Sequence, residues 1–150
     1  MTDGPATPRF ALPLLAPAQA QKEMFHNEAL TLIDALVQPC VESGPDAAPP
    51  DAPDEGQCWI VAGGASGAWS GQDGAIALWT AGGWRFAAPR AQMRVLRLSD
   101  GAVLRFDGGA WAAPSSVAAP SGGTVVDGEA RAAIAALLSL LSAHGLLISG

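Results

Sequence analysis

Reactive chemistry in this chain would have to come from few side chains, beginning with the carboxylates of its glycine-rich middle, Asp73, Asp100 and Asp107. Cleaving a glycosidic bond takes two carboxyl groups about 5–9.5 Å apart. All three stand in turn contexts, however, where an Asp side chain hydrogen-bonds its own backbone. Glu23, Glu28 and Asp34 sit at helical spacing among apolar residues and read as solvated or capping groups. Asp46, Asp51, Asp54 and Glu55 crowd a proline-rich stretch without the ligand spacing of a calcium loop, so they read as solubilising. Ser66, in Gly63-Gly64-Ala65-Ser66-Gly67, has no Gly-Lys-Ser/Thr beside it and is not centred in Gly-x-Ser-x-Gly. Cys40, Cys58, His26 and His144 lack the close pairs of a zinc site. A Cys40–Cys58 bridge is left open, and buried free thiols are the expectation in a reducing compartment. No catalytic residue, metal ligand or cofactor is assigned.

The chemistry that these residue types do offer is aromatic. All five tryptophans, Trp59, Trp69, Trp79, Trp84 and Trp111, fall within Cys58–Trp111. Indole faces stack on sugar rings, which makes Trp69, Trp79, Trp84 and Trp111 the carbohydrate-binding candidates. In a small β fold the same side chains also build a core.

The elements that would position them follow from pattern. The stretch repeats itself: Leu78-Trp79-Thr80-Ala81-Gly82-Gly83-Trp84 before Pro89, then Leu104-Arg105-Phe106-Asp107-Gly108-Gly109-Ala110-Trp111 before Pro114. Each copy has a hairpin signature, because Gly takes the positive φ angles of tight turns and aromatics suit a pleated surface. Trp59-Ile60-Val61, Ala75–Trp79, Gly83–Phe86, Met93–Leu98 and Ala102–Phe106, closed by Trp111, give about six short strands, antiparallel because their connections are short. Ala62–Gly74 reads as a glycine-rich excursion. Upstream, Met1–Pro17 is a proline-punctuated arm, with docking expected for Phe10–Leu15. The first helical region, Ala18–Gln38, follows: a helix with Asn27 as N-cap, Ala29, Leu32, Ile33, Leu36 and Val37 as its stripe and Pro39 as its stop, preceded by Gln19-Ala20-Gln21-Lys22-Glu23 as either a short helix or a polar connector.

Downstream, Pro114–Thr124 is a linker by composition. The last helix starts at Asp127 as N-cap, ends at His144 and Gly145, and carries Ile134, Leu137 and Leu141 at a/d spacing, flanked by Ala130 and His144 in the same register, with Ala133, Leu138 and Leu140 on its other sides. Apolar nearly all round, it must be covered by something. Packing of copies about a two-, three- or five-fold axis would cover it, with Ala130, Ile134, Leu137, Leu138 and Leu141 as the oligomerisation residues. Folding back across the β region is the other solution.

The expectation is therefore an α+β fold: a small antiparallel β meander or barrel-like module flanked by an N-terminal helix and a C-terminal oligomerising helix. Its parts are an arm and helix (1–40), an acidic Pro-rich linker (41–55), the Trp/Gly-rich β module (56–114), a second linker (115–126) and the terminal helix (127–150).

Composition narrows the partners. The net charge is −6 and Lys22 is the only lysine. Arg85, Arg90, Arg94, Arg97 and Arg105 alternate with apolar residues at strand spacing, so they read as a solvated face and nucleic acid is not expected. No run approaches the roughly 18 apolar residues of a membrane span. Met1-Thr2-Asp3-Gly4-Pro5 lacks a signal peptide's charged and apolar regions, and synthesis in the cytosol is expected.

Several segments, in order, resemble a known family. They are Gln19-Ala20-Gln21-Lys22-Glu23, Asn27-Glu28-Ala29-Leu30, Asp34-Ala35-Leu36, Glu55-Gly56 before Trp59-Ile60-Val61, Gly67-Ala68-Trp69-Ser70-Gly71 with Asp73-Gly74, Gly82-Gly83-Trp84-Arg85-Phe86, and Asp107-Gly108-Gly109-Ala110-Trp111. The chain is similar over roughly residues 10–114 to a domain of unknown function that recurs in tailed-phage and prophage fibre proteins and in head-spike proteins of gene transfer agents. Cys58 departs from that pattern, where a larger polar or aromatic residue is expected. The resemblance implies a spike or fibre subunit on a virion surface that meets the recipient cell envelope, and it supplies no catalytic residues.

The function expected is accordingly a non-enzymatic structural and adhesive virion protein. It would be assembled in the host cytoplasm, as a trimer or as a pentamer at a capsid vertex, and contact other capsid, spike or fibre proteins and cell-surface polysaccharide. The alternatives are a carbohydrate-binding module with no virion role and an envelope polysaccharide hydrolase.

Overall fold

The computed structural model describes residues 5–15 and 22–147. The start of the expected first helix at Ala18, the Gln19–Gln21 part of the resemblance, residues 1–4 and residues 148–150 lie outside the described residues.

The protein is α+β. In chain order come α1 (Lys22–Val37), β1 (Cys40–Val41), β2 (Cys58–Ile60), a short 3₁₀ turn (Gly67–Trp69), β3 (Ile76–Thr80), β4 (Gly83–Ala87), β5 (Arg94–Arg97), β6 (Ala102–Phe106), β7 (Trp111–Ala112) and α2 (Gly128–Ala143). The strands do not form one meander, as the short connections had suggested. They divide into a sheet ordered β2-β3-β4 and a sheet ordered β1-β5-β6-β7, and the chain switches sheets between β4 and β5. All pairings are antiparallel except β1 with β5, which is parallel because β1 arrives from far upstream.

The repeat seen in the sequence has a physical meaning. In each copy four residues separate two aromatics that become direct cross-strand partners, Trp79 with Trp84 and Phe106 with Trp111. Their ring centroids lie 5.0 and 5.3 Å apart, within the range of favourable edge-on aromatic contacts. One copy serves each sheet. The Asp100-Gly101 turn joins β5 to β6 as expected: Gly101 takes φ +71°, and Asp100 Oδ1 accepts the Ala102 N–H.

Between the sheets lies a core of Val41, Cys58, Ile60, Ile76, Leu78, Val95, Ala102 and Leu104, with Ala35 of α1 packed into it. The other face of the β2-β3-β4 sheet is apolar too, carrying Trp59, Ala77, Trp84 and Phe86. The 41–55 stretch, expected as a free extended loop, is stitched along β2. The Glu42 N–H donates to Cys58 O, Asp46 N–H to Ile60 O and Ala62 N–H to Asp46 O, at 2.8–2.9 Å. Gly44 is required there, since at φ +123° a Cβ would press 2.7 Å from Ile60 O.

The first helix differs from its expected outline. Its described part already includes residues 22–26, upstream of Asn27, because Lys, Glu and Met are strong helix formers and Asn27 is an interior residue rather than the cap. The Asn27 side chain instead brackets the arm, its Oδ1 accepting Leu15 N–H at 2.9 Å and its Nδ2 donating to Leu15 O at 3.0 Å. Asp34, read above as a solvated or capping residue, is 1% exposed. Its two carboxyl oxygens accept the N–H groups of Arg9 and Phe10 at 2.9 and 2.8 Å. The Arg9 guanidinium then donates to Ala35 O and Gln38 O at 2.8 and 2.9 Å, capping the last carbonyls of α1. The arm thus docks through polar groups as well as through its apolar run, while Ile33 and Val37 of the expected stripe stay exposed.

Asp34→Ala leaves two N–H groups without their acceptor, and a loss of about 2–3 kcal/mol of stability is expected. Limited trypsinolysis after Arg9, slow in the wild type, should become fast in the variant. An unchanged cleavage rate would contradict the arm's dependence on Asp34.

Candidate functional site

The structure sorts the tryptophans by what surrounds them. Trp69 follows directly from a glycine-rich loop, yet the 3₁₀ turn swings its indole under the sheet, where it is 0% exposed. It lies 6.4 Å from Trp59 and 5.2 Å from Trp84, centroid to centroid. Trp69 has no free face for a sugar, which corrects its place among the binding candidates. Trp111 is half-buried against the inter-sheet core, and its indole N–H donates to Gly74 O at 2.8 Å, tying β7 to the segment that leads into β3. That bond makes it a structural strut.

Trp79 and Trp84 remain half-buried at the edge of the second aromatic cluster, T-shaped to each other. Trp79 also lines a cleft of about 430 Å³ between the arm, α1 and the β3–β4 hairpin, with Leu14, Met24, Thr31 and Glu55 among its other walls. Arg85 Nε meets Glu28 Oε1 at 2.8 Å on one side of this cleft, an exposed pair whose role is to join helix to hairpin more than to add stability. The sequence pattern does not reveal this cleft, because its walls come from four segments that no local spacing relates.

The carboxylates raised above are occupied locally. Asp73 Oδ1 accepts the Gly64 N–H, Asp107 Oδ1 accepts those of Gly109 and Ala110, and Asp100 pairs with Arg97 at 2.6 Å. The N–H groups of Ala110 and Gly109 hold the Asp107 carboxyl below the usual range, and Arg97 does the same for Asp100. Among the described residues, no group of three or more His, Cys, Asp or Glu could hold a metal ion.

Both cysteines are free thiols. Burial pushes the Cys58 thiol up from 9.0 to about 12. The neutral thiol is the form the fold favours, so stability is full below pH 9 and falls as pH rises toward 12, where only the unfolded chain ionises. The chain has no Tyr and Lys22 is its only lysine, which leaves this alkaline limb unusually clean. The unfolding free energy from urea titrations should decline with a slope approaching about 1.4 kcal/mol per pH unit, carrying the midpoint down with it, and Cys58→Ala should flatten the decline. A wild-type midpoint level from pH 9 to 11 would rule this out.

The terminal helix starts and stops where its sequence signals. Asp127 accepts the Ala130 N–H at 2.9 Å, and Gly145 follows the His144 cap at φ +67°. None of its residues is buried. Ala130, Ile134, Leu137 and Leu141 are exposed, and Leu138 is half-buried. Just past the end of the helix, Val103 N–H donates to Gly145 O at 2.9 Å and ties it to the sheet. A Cβ on Gly145 would overlap Gly101 O and reach 3.0 Å from Val103 Cγ2, so only glycine allows this approach.

Two small sheets packed face to face, an arm-capped helix and an outlying second helix define the class: an α+β domain with a surface cleft and an aromatic cluster beside it. Residues 26–112 match the family described as protein of unknown function (DUF2793), and the chain belongs to that family. The match contains all seven strands, whereas the arm and α2 lie outside it. No curated protein matches the sequence.

Proposed function

We propose that this protein is a non-enzymatic structural subunit of a phage-like particle, a spike or fibre component that self-associates through α2 and helps the particle attach to recipient-cell polysaccharide. The observation that carries the reading is the uncovered apolar surface of α2: Ile134, Leu137, Leu140 and Leu141 are all at least 38% exposed. Isolated apolar patches of this kind mark interaction sites, and helices that repeat Ile and Leu at a/d spacing bury them against copies of themselves. A trimer is the favoured assembly, with a pentamer as the form suited to a capsid vertex. Other virion proteins would engage the exposed face of α1 that carries Phe25, Ile33 and Val37. The resemblance of the chain to fibre and head-spike domains supports the virion-surface setting, and Trp79 in the cleft, with half-buried Trp84 packed on it, would supply the sugar-facing aromatics.

The test is immunogold electron microscopy of particles from the producing cells with an antibody against the β module. Label at the particle surface is expected. Particles without label, alongside protein free in the lysate, would overturn the virion reading.

A further inference from the structure

The outer face of the β1-β5-β6-β7 sheet holds an arrangement that folding alone does not favour. Arg94 of β5 and Arg105 of β6 are direct cross-strand partners on one face. Like charges placed opposite each other in a sheet are destabilising. Among the described residues neither guanidinium has an ion-pair partner, and the contact made is Arg105 Nη1 to Gln92 Oε1 at 3.2 Å. Asp107, whose carboxylate feels the Arg105 charge, is engaged with the N–H groups of its own turn.

The two arginines sit in a depression of about 270 Å³ whose other walls are apolar: Val103, Ala113, Pro114 and Leu146. Three separate parts of the chain build it, since Leu146 is brought there by the Gly145–Val103 bond at the end of α2. Guanidinium groups present a planar fork of donors that fits carboxylate, sulfate or phosphate oxygens. The apolar wall suits the C–H face of a pyranose ring.

We propose that Arg94 and Arg105 form a binding site for the acidic groups of an anionic polysaccharide, with a hexuronate carboxylate as the group they take. The rest of the molecule argues for a sparsely charged polymer. A chain of net charge −6 repels a nucleic acid, and two arginines neutralise only one or two charges, as a polymer with one acid per repeating unit presents. The site lies on the opposite sheet from Trp79 and Trp84. The inference rests on the reading of the protein as an attachment subunit and names the ligand class for it.

The experiment uses the full chain and measures binding of oligogalacturonate, dextran sulfate and neutral dextran by calorimetry. Oligogalacturonate is expected to bind, and an Arg94→Ser/Arg105→Ser variant should lose at least tenfold in affinity. Arg90→Ser, the same charge change at an exposed arginine outside the depression, should lose less than twofold. The double variant should melt no lower than the wild type, because removing opposed like charges relieves repulsion. Binding of dextran sulfate alone, lost in the double variant, would keep the site and assign it to sulfate esters. Equal binding of neutral dextran, no binding of either anion, or affinity unchanged in the double variant would overturn it. Labelled wild-type protein added to recipient cells separates the two readings. Cell binding that survives the double substitution removes this site and leaves attachment standing. Arginine-dependent glycan binding without cell binding removes attachment.

Discussion

Trp69→Ala is expected to remove about 3–5 kcal/mol of stability, the cost of deleting a fully buried aromatic. Its indole is wholly enclosed between Trp59 and Trp84, with Val61, Ala65 and Ala77 completing the pocket. A domain of this size is held together by only about 5–15 kcal/mol, so the variant should be partly unfolded near 37 °C. Trp69→Phe should be far milder. The ring contacts survive, and the indole N–H, which has no hydrogen-bond partner among the described residues, is no longer buried. Urea denaturation followed by far-UV circular dichroism gives both values. An alanine variant as stable as the wild type would mean that the turn at Gly67–Trp69 is surface and Trp69 is again available to a sugar.

Leu137→Asp with Leu141→Asp is expected to convert the proposed α2 assembly to monomers outright. Burying a leucine contributes about 1.5–3 kcal/mol, and each subunit would lose two while gaining two charges at the seam. Because no residue of α2 is buried in the subunit itself, the sheets should remain folded. A helix of 16 residues is marginal alone in water, so part of the helical signal should disappear with the assembly. Size-exclusion chromatography with light scattering reads the mass directly. A wild-type monomer at tens of micromolar, or a double variant that keeps the wild-type mass, would contradict assembly through α2.

Local signals in the chain proved dependable where the structure is itself local. The Asp100-Gly101 and Gly82-Gly83 turns, the Asp127 cap and the Gly145 stop each act within a few residues of where they are written. The aromatic repeat was visible as well, though not that its two copies serve different sheets. What could not be read depended on partners distant in sequence. Asp34 looks like a solvated carboxylate until Arg9 and Phe10 arrive from the arm. The proline-rich 41–55 stretch has no strand pattern because β2 dictates its course. Trp69 sits among glycines, and nothing nearby reveals that Trp59 and Trp84 will close over it. Of the four candidate tryptophans, composition could nominate all, but only packing could separate two that line the surface from two that build the frame.

The sheet of β2, β3 and β4 is apolar on both faces over most of its area, with Thr80 and Arg85 at the cleft end as the exceptions, so it divides the interior like an internal wall. Strands with a solvent face can exchange half their side chains without touching the core; these have no such half to give. Anyone wishing to retarget this protein by randomising its surface should therefore leave all three strands fixed. The places with room for new side chains are Ala81 in the β3–β4 turn, the exposed Gly63, Ala68 and Ser70 of the loop that holds Trp69, and Met24 and Glu55 on the rim of the cleft. A library confined to those positions should return mostly folded clones, whereas one spread across the strands should return mostly unfolded ones.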